Sequence, residues 1–147
     1  EVVYGYRHLD IQTKKFEAEK ARVLAGSPTL SGIELLETIH RFIAVPEVAG
    51  HPTGGAVDVR IVDENGRALD MGTALMDFSP DTYVSSPFIS REAWQNRQLL
   101  RACMVKSGFA PFEGEWWHFS YGDREWARYY CKPSALFTQI RFSSPTS

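Results

Sequence analysis

The sequence predicts a single α+β domain in which about three helices pack on a small, mainly antiparallel sheet. Its 147 residues fit one domain, and a content of 44% apolar and 23% charged residues is typical of globular proteins. Three segments carry apolar residues at helical spacing, and shorter segments alternate apolar with polar residues as strands do. No repeat or interior linker interrupts the chain, so we expect one domain over residues 1–147.

Four short segments have the character of strands. Alternation, or enrichment in β-branched and aromatic residues, indicates strands at residues 2–6, 57–61, 67–71 and 115–119. The turn signal Asp-Glu-Asn-Gly at residues 63–66 joins the middle two strands as a hairpin. Residues 72–90 contain several serine, proline and aspartate residues, and we expect them to be irregular.

Three helices are predicted, at residues 11–24, 31–42 and 91–106. The second helix begins after Ser31 as its N-cap, with Glu34 at the spacing of a capping box. Its apolar stripe comprises Ile33, Leu36, Ile39 and Ile43. The third helix is expected to bury Leu99, Leu100, Cys103 and Met104.

Composition and charge argue against two classes of partner. The net charge is −2 and no stripe of lysine and arginine is present, so no nucleic-acid partner is expected. No apolar run approaches the ~20 residues that a membrane span needs, so no membrane partner is expected either. The chain opens at Glu1 inside an apolar run, and we expect its natural N-terminus to lie upstream.

The two cysteines, Cys103 and Cys131, are far apart in the sequence and form no CxxC pair. We expect both to be free packing residues that are largely buried, because cysteine behaves as a small hydrophobic residue. A single disulfide between them is the alternative.

Two short strings carry candidate chemistry: His-Pro-Thr-Gly-Gly-Ala-Val-Asp at residues 51–58 and Glu-Trp-Trp-His at residues 115–118. Together they supply two imidazoles and two carboxylates. A catalytic zinc needs three protein ligands and a free acceptor for the proton of its water. His51, Asp58 and His118 meet the first need, and Glu115 meets the second.

Each member of this set has an ordinary explanation when taken alone. Asp58 lies on the strand face opposite Val57 and Val59, and it could simply be exposed to solvent. His51 could be a loop histidine, and His118 a core histidine bonded to a carbonyl. Glu115 precedes His118 by three residues, so a bend or bulge near Trp116 is needed to bring both to one site. The occurrence of all four together favours the zinc site.

The pattern H-x-x-G-x-A-x-D followed by E-x-W-H resembles the zinc D-alanyl-D-alanine dipeptidase family, which is related to the peptidoglycan D,D-carboxypeptidases and endolysin peptidases. In that pattern His51, Asp58 and His118 fall on the three zinc ligands, and Glu115 falls on the general base. The resemblance implies one Zn²⁺ per chain. It also implies hydrolysis of D-Ala-D-Ala, or a similar small D,D-dipeptide, to free amino acids.

The resemblance also assigns two residues outside these strings. Arg7, in Tyr-Gly-Tyr-Arg at residues 4–7, falls on an active-site arginine that would stabilise the oxyanion of the tetrahedral intermediate. Asp77, within residues 71–78, falls where the dipeptidases keep an acid for the substrate ammonium. The ordinary alternative for Asp77 is a turn aspartate before Ser79.

The sequence departs from the family pattern at Ala49, where the family often has serine or threonine, and at His8, where proline is common. The N-terminal portion of a typical dipeptidase does not precede the arginine here. Two other functions therefore stay open: a peptidase acting on peptidoglycan stem peptides, and a non-catalytic zinc-binding protein similar to the hedgehog domains. The oligomeric state is open, as is the choice between bacterial cytoplasm and periplasm.

Overall fold

The computed structural model describes residues 1–77 and 79–141. The strands are β1 (Val2–Tyr4), β2 (Ala56–Val59), β3 (Ala110–Pro111) and β4 (His118–Ser120). The α-helices are α1 (Leu9–Gly26), α2 (Gly32–His40), α3 (Arg91–Lys106) and α4 (Arg124–Tyr129), with short 3₁₀ helices at His51–Thr53 and Pro80–Thr82. The strands form one antiparallel sheet in the order β1-β2-β4-β3. The predicted α+β class is confirmed.

The register of the sheet puts two candidate site residues and a tyrosine in one row. Asp58 of β2 lies opposite His118 of β4, and Tyr4 of β1 lies opposite Asp58 on the other side. Side chains of directly opposed residues project from the same face of an antiparallel pair. Val57 and Phe119 are the neighbouring opposed pair, and their side chains therefore project from the other face.

The main hydrophobic core comprises Val59, Met71, Val84, Leu100, Trp116, Trp117 and Phe119. Both tryptophans are nearly inaccessible, as expected for residues that pack the core. A second cluster, of Phe16, Val23 and Ile39, joins α1 to α2. The second cluster contains no strand residue, so α1 and α2 pack on each other, apart from the core that lies against the sheet.

A buried arginine fastens the irregular segment before α3. Arg97 is only 1% exposed, and its guanidinium donates to the carbonyls of Met71, Asp81 and Tyr83, each at 2.7 Å. It also donates to the hydroxyl of Thr73 at 3.4 Å. Three backbone carbonyls of a segment without regular structure are satisfied by one side chain, as burial of polar groups requires.

Helix α3 has the predicted limits, but its predicted buried face is partly wrong. Leu99 is 54% exposed and Cys103 is exposed, whereas Ala93, Arg97 and Leu100 face inward. The reason is that the inward stripe includes Arg97, a residue whose charge suggests solvent. Within the described residues, no helix has the length and apolar character needed to cross a membrane.

Helix α2 differs from the prediction in its cap and in its stripe. Ser31 is the N-cap residue, but its side chain accepts no capping hydrogen bond. Ile39 is fully buried, whereas Ile33 is 74% and Leu36 is 43% exposed. Only one side of this nine-residue helix packs on α1, so the far end of the apolar stripe has no core to enter.

All four predicted strands are shorter than expected, and two of them differ most from the prediction. The return strand at residues 67–71 is reduced to one isolated bridge between Val62 and Ala68. The strand predicted at 115–119 begins only at His118, because residues before it form a turn in which the His118 amide donates to the Glu115 carbonyl at 3.2 Å.

The predictions missed β3 and α4, each of which is very short. They were also wrong about the cysteines: Cys103 and Cys131 are both free, as expected, but both are exposed rather than buried. Cys103 lies on the outer face of α3, and Cys131 follows the end of α4. Phe78 and the end of the aromatic-rich tail, residues 142–147, lie outside the described residues.

Replacement of Arg97 by alanine should destabilise the fold by about 3 kcal/mol or more, because it leaves several buried carbonyls without a donor. Urea unfolding followed by circular dichroism measures this loss. Arg101→Ala is the matched control on the same helix: Arg101 pairs with Glu113 at the surface and should cost less than about 1 kcal/mol. Equal losses in the two variants would contradict the anchoring role of Arg97.

Candidate metal centre

Three donor atoms, one each from His51, Asp58 and His118, all lie within 4.8 Å of one another. Oδ1 of Asp58 is 3.0 Å from Nδ1 of His118 and 3.4 Å from Nε2 of His51. The strand register supplies the first pair. His51 joins them because Gly54, with φ of +75°, ends the short 3₁₀ helix and turns the chain back into β2.

The segment between β1 and α1 fixes the orientation of the His51 side chain. Its Nδ1 lies 2.7 Å from the carbonyl oxygen of Gly5, which can only accept, so Nδ1 carries the proton. Nε2, the other ring nitrogen, then faces Asp58 and is the His51 atom available to a metal. The Arg7 amide donates to the His51 carbonyl at 3.2 Å, and the Tyr4 ring meets the imidazole edge-on.

The electrostatics of the cluster keep Asp58 ionised. Burial alone would raise the pKa of this 2% exposed carboxyl, but hydrogen bonds and charge from His118 and His51 lower it to about 2. Burial acts to lower the pKa of His118, but the hydrogen bond with Asp58 and the carboxylate charge raise it. In the metal-free protein the adjacent imidazoles thus balance the buried charge of Asp58, a balance that a bound cation would provide in their place.

The donor set and its spacing fit a zinc ion. Two imidazole nitrogens and one carboxylate oxygen are typical ligands of catalytic zinc. Ligands at ~2.0–2.1 Å in tetrahedral arrangement lie about 3.3 Å apart, close to the separations of 3.0 and 3.4 Å observed here. Both cysteines lie on the surface and outside this cluster, so the cluster lacks the thiolates of most structural zinc sites.

The turn that precedes β4 brings Glu115 to the candidate metal centre. Because the chain turns at residues 115–117 instead of continuing as a strand, Glu115 comes to the same cavity as His118. Burial raises the pKa of Glu115, and its main electrostatic partners include His118, Asp58 and Arg7. A carboxyl with a raised pKa is suited to take up a proton and release it again.

These residues line one cavity of about 130 Å³, here called the metal cavity: Arg7, His51, Asp58, Glu115 and His118 are in its wall. Arg7 is buried, and two nitrogens of its guanidinium group donate hydrogen bonds. Its Nε donates to the hydroxyl of Tyr4 at 3.1 Å, and its Nη1 donates to Gln12 at 2.7 Å. Five of the site residues named from the sequence thus line one cavity.

Asp77 is not brought to the metal cavity. Its Oδ1 accepts from the amide of Ser79 at 2.9 Å, the arrangement of a turn aspartate, whereas its neighbour Met76 lines the cavity. The role of Asp77 in binding an ammonium stays a prediction. His40, expected to be a surface residue, is exposed, and its Nδ1 accepts from the Val45 amide.

Two supporting residues were not singled out as site residues in the sequence. Gln12 on α1 is almost fully buried. Its side chain accepts a hydrogen bond from Arg7 and donates one to the Ala44 carbonyl at 2.7 Å. Asp123 is 1% exposed: its Oδ1 caps α4, and its Oδ2 lies against Gly50 without a partner among the described residues. An aspartate three residues before Trp126 at a helix start was the available signal for this cap.

Two imidazoles and a carboxylate that face a cavity, with a free carboxyl beside them, define the class of mononuclear metallopeptidase centres. The family model of M15 peptidases, described as D-Ala-D-Ala dipeptidase, matches residues 2–135. The chain belongs to this family.

Individual relatives support the same assignment. A D-alanyl-D-alanine dipeptidase of Synechocystis is 38% identical over 91 residues, which cover 54% of this chain and 37% of the relative. The D-alanyl-D-alanine dipeptidase of Escherichia coli is 37% identical over 71 residues, which cover 48% of this chain and 37% of the relative. That of Enterococcus faecium is 29% identical over 87 residues, covering 58% and 43%. The matched region thus spans well under half the length of these relatives.

In metal-free protein, the stability contributed by Asp58 should depend on pH. The lowered pKa of Asp58 means that its contribution, about 2 kcal/mol, is present above pH ~4 and lost as the pH falls towards ~2. The raised pKa of His118 means that the contribution of its charge is present below pH 6.5 and lost as the pH rises through the raised value.

The difference in unfolding free energy between wild type and Asp58→Asn should therefore be largest between about pH 4 and 6.5. Urea titrations in the presence of a chelator, repeated from pH 3 to pH 9, measure this difference. Asp63→Asn, which removes a carboxylate from a turn outside the cluster, serves as the control. A difference that stays constant over the whole range would contradict the buried ion pair.

Proposed function

We propose that this protein is a zinc-dependent dipeptidase that hydrolyses D-Ala-D-Ala or a similar D,D-dipeptide. The observation that carries the proposal is the convergence of His51, Asp58 and His118 with Glu115 and Arg7 on one cavity. The membership of the family and the names of the relatives support it.

When bound, zinc would act as a Lewis acid and lower the pKa of a water from ~15.7 towards ~7. Glu115 then accepts the proton of the attacking water and passes it to the amine that leaves. The raised pKa of Glu115 favours the protonated carboxylic acid that exists between these two transfers. Because Glu115 lies outside the cluster of three donor atoms, its carboxylate is free to move that proton.

Arg7 stabilises the negative charge that develops on the carbonyl oxygen of the substrate. Two of the five N–H groups of its guanidinium are used by Tyr4 and Gln12, which leaves three to bind the substrate. A cation that is already fixed in place reorganises little during the reaction, and such preorganisation makes the largest contribution in buried sites. Arginine also stays charged in a buried position.

Asp77 is proposed as the partner of the substrate ammonium on the basis of the family resemblance. One oxygen of its carboxylate is occupied by the Ser79 amide, and the other would accept the ammonium. Since Asp77 does not line the metal cavity, the approach of a dipeptide would have to bring the segment around Met76 closer to the donor atoms.

The first experiment compares D-Ala-D-Ala with a stem pentapeptide that ends in D-Ala-D-Ala, each incubated with zinc-loaded protein, and measures released D-alanine. Cleavage of the free dipeptide supports the proposed function. Cleavage of the pentapeptide alone would assign the protein to the carboxypeptidase branch. No cleavage of either while zinc is retained would favour a binding protein.

Replacement of Glu115 by glutamine should lower kcat by about 10²–10⁴-fold and leave the zinc content unchanged, because the amide cannot accept a proton. Turnover of D-Ala-D-Ala and metal analysis of the dialysed protein measure the two effects. Glu113→Gln is the control, since Glu113 pairs with Arg101 at the surface. Turnover retained in Glu115→Gln would exclude the general-base role.

A further inference from the structure

A second, larger cavity of about 570 Å³ lies beside the metal cavity, and we call it the side chamber. Its wall is formed by the outer face of α2, by the segment around Pro80 and by the turn before β4. Apolar groups predominate: Leu36, Phe42, Val45, Tyr83 and Phe112 all line it. The side chamber therefore accounts for the exposure of Leu36, which faces a cavity instead of the core.

The side chamber and the metal cavity have a common wall. His40, Arg41, Phe42, Phe112 and Glu115 line both of them. In contrast, Arg7 and the three donor residues line the metal cavity alone. A molecule that reacts at the donor atoms would therefore pass Glu115 to enter the side chamber, whereas Arg7 would contact only the part of the molecule that stays in the metal cavity.

The chemistry of the reaction decides which end of the substrate lies at this wall. Glu115 gives its proton to the leaving nitrogen, so that nitrogen must lie next to Glu115. Arg7 stabilises the carbonyl oxygen on the other side of the same peptide bond. The residue that carries the leaving nitrogen, which is the C-terminal residue of a dipeptide, is thus directed into the side chamber.

We propose that the side chamber binds the C-terminal residue of the substrate and selects D,D-dipeptides in which this residue has a bulky apolar side chain, such as leucine. The inference rests on the proposed function. In the reaction, the water oxygen bonds to the carbonyl carbon, the C–N bond breaks and the proton held by Glu115 goes to the nitrogen. The products are free D-alanine and a free apolar D-amino acid.

The wall of the side chamber also contains a positively charged residue. Arg41 lines both cavities, and within the described part of the chain it makes no ion pair. The C-terminal residue of a dipeptide carries a free carboxylate next to its side chain. The geometry thus provides an apolar chamber for the side chain and a guanidinium at its entrance for the carboxylate.

The substrate series consists of D-Ala-D-Ala, D-Ala-D-Leu and the reversed peptide D-Leu-D-Ala, each measured as kcat/KM with the zinc-loaded protein. The expected result is at least about a tenfold higher value for D-Ala-D-Leu than for D-Ala-D-Ala, since each apolar carbon that enters a fitting site adds to the discrimination. D-Leu-D-Ala should be the poorest substrate, because its bulky residue is directed away from the side chamber.

The same series separates the two hypotheses. If D-Ala-D-Ala is cleaved and D-Ala-D-Leu is no better, the side chamber is not a substrate site and the proposed function stands. If no dipeptide is cleaved, the proposed function fails and this inference fails with it. If D-Leu-D-Ala is preferred over D-Ala-D-Leu, the assignment of the leaving residue to the side chamber is overturned.

A matched pair of variants on α2 tests the side chamber directly. Leu36→Trp would narrow the side chamber and should lower the ratio of kcat/KM for D-Ala-D-Leu over D-Ala-D-Ala by at least about tenfold. Ile33→Trp, one turn earlier on the same helix and outside the side chamber, should leave the ratio at its wild-type value. Equal ratios in the two variants would overturn the proposal, and circular dichroism verifies that both fold.

The role of Arg41 has its own readout. Amidation of the C-terminus of D-Ala-D-Leu removes the carboxylate and should lower kcat/KM at least about tenfold in the wild type. In Arg41→Ala the same amidation should change kcat/KM little, because the variant lacks the cation that binds the carboxylate. An undiminished effect of amidation in the variant would exclude Arg41 as the partner.

Discussion

The centre depends above all on the pairing of β2 with β4 in one register. That register puts Asp58 opposite His118, two residues 60 positions apart in the chain, with their donor atoms 3.0 Å apart. A slip by one residue would exchange the two faces of the strand and direct Val57 or Val59 towards the imidazole. The packing of Val59 and Phe119 in the core opposes such a slip. Hydrophobic burial on one face of the sheet thus fixes the ligand geometry on the other.

The surroundings of the centre consist of side chains that satisfy backbone groups in irregular segments. Gln12 fixes Arg7 and also takes up the Ala44 carbonyl, so the cation is tied to the chain that follows α2. Arg97 likewise donates hydrogen bonds to three backbone carbonyls of the segment before α3. Trp116, next to Glu115, donates its indole N–H to Thr73 in that segment. Loops that would otherwise move freely are thereby connected to the residues that carry the chemistry.

Local signals in the sequence were sufficient for elements whose ends are marked, and insufficient for pairings over long distances. Helix α3 has its predicted limits, and the structure shows that the Ser90 side chain caps its start and that Gly108, with a positive φ, follows its end. Its inward face was predicted wrongly because burial of Arg97 depends on carbonyls up to 26 residues away. The ligand set was recognisable from its residue types. The turn that brings Glu115 over His118 was expected only as an undefined bend.

Residues 5–7 have two functions at once. The carbonyl of Gly5 orients the imidazole of His51, the amide of Arg7 bonds to the His51 carbonyl, and the Arg7 side chain lies in the metal cavity. Proteolytic cleavage of the chain within this segment would therefore weaken metal retention as well as displace the cation that faces the substrate. Resistance of residues 5–7 to proteases and the lifetime of the loaded centre are for this reason one property of the molecule.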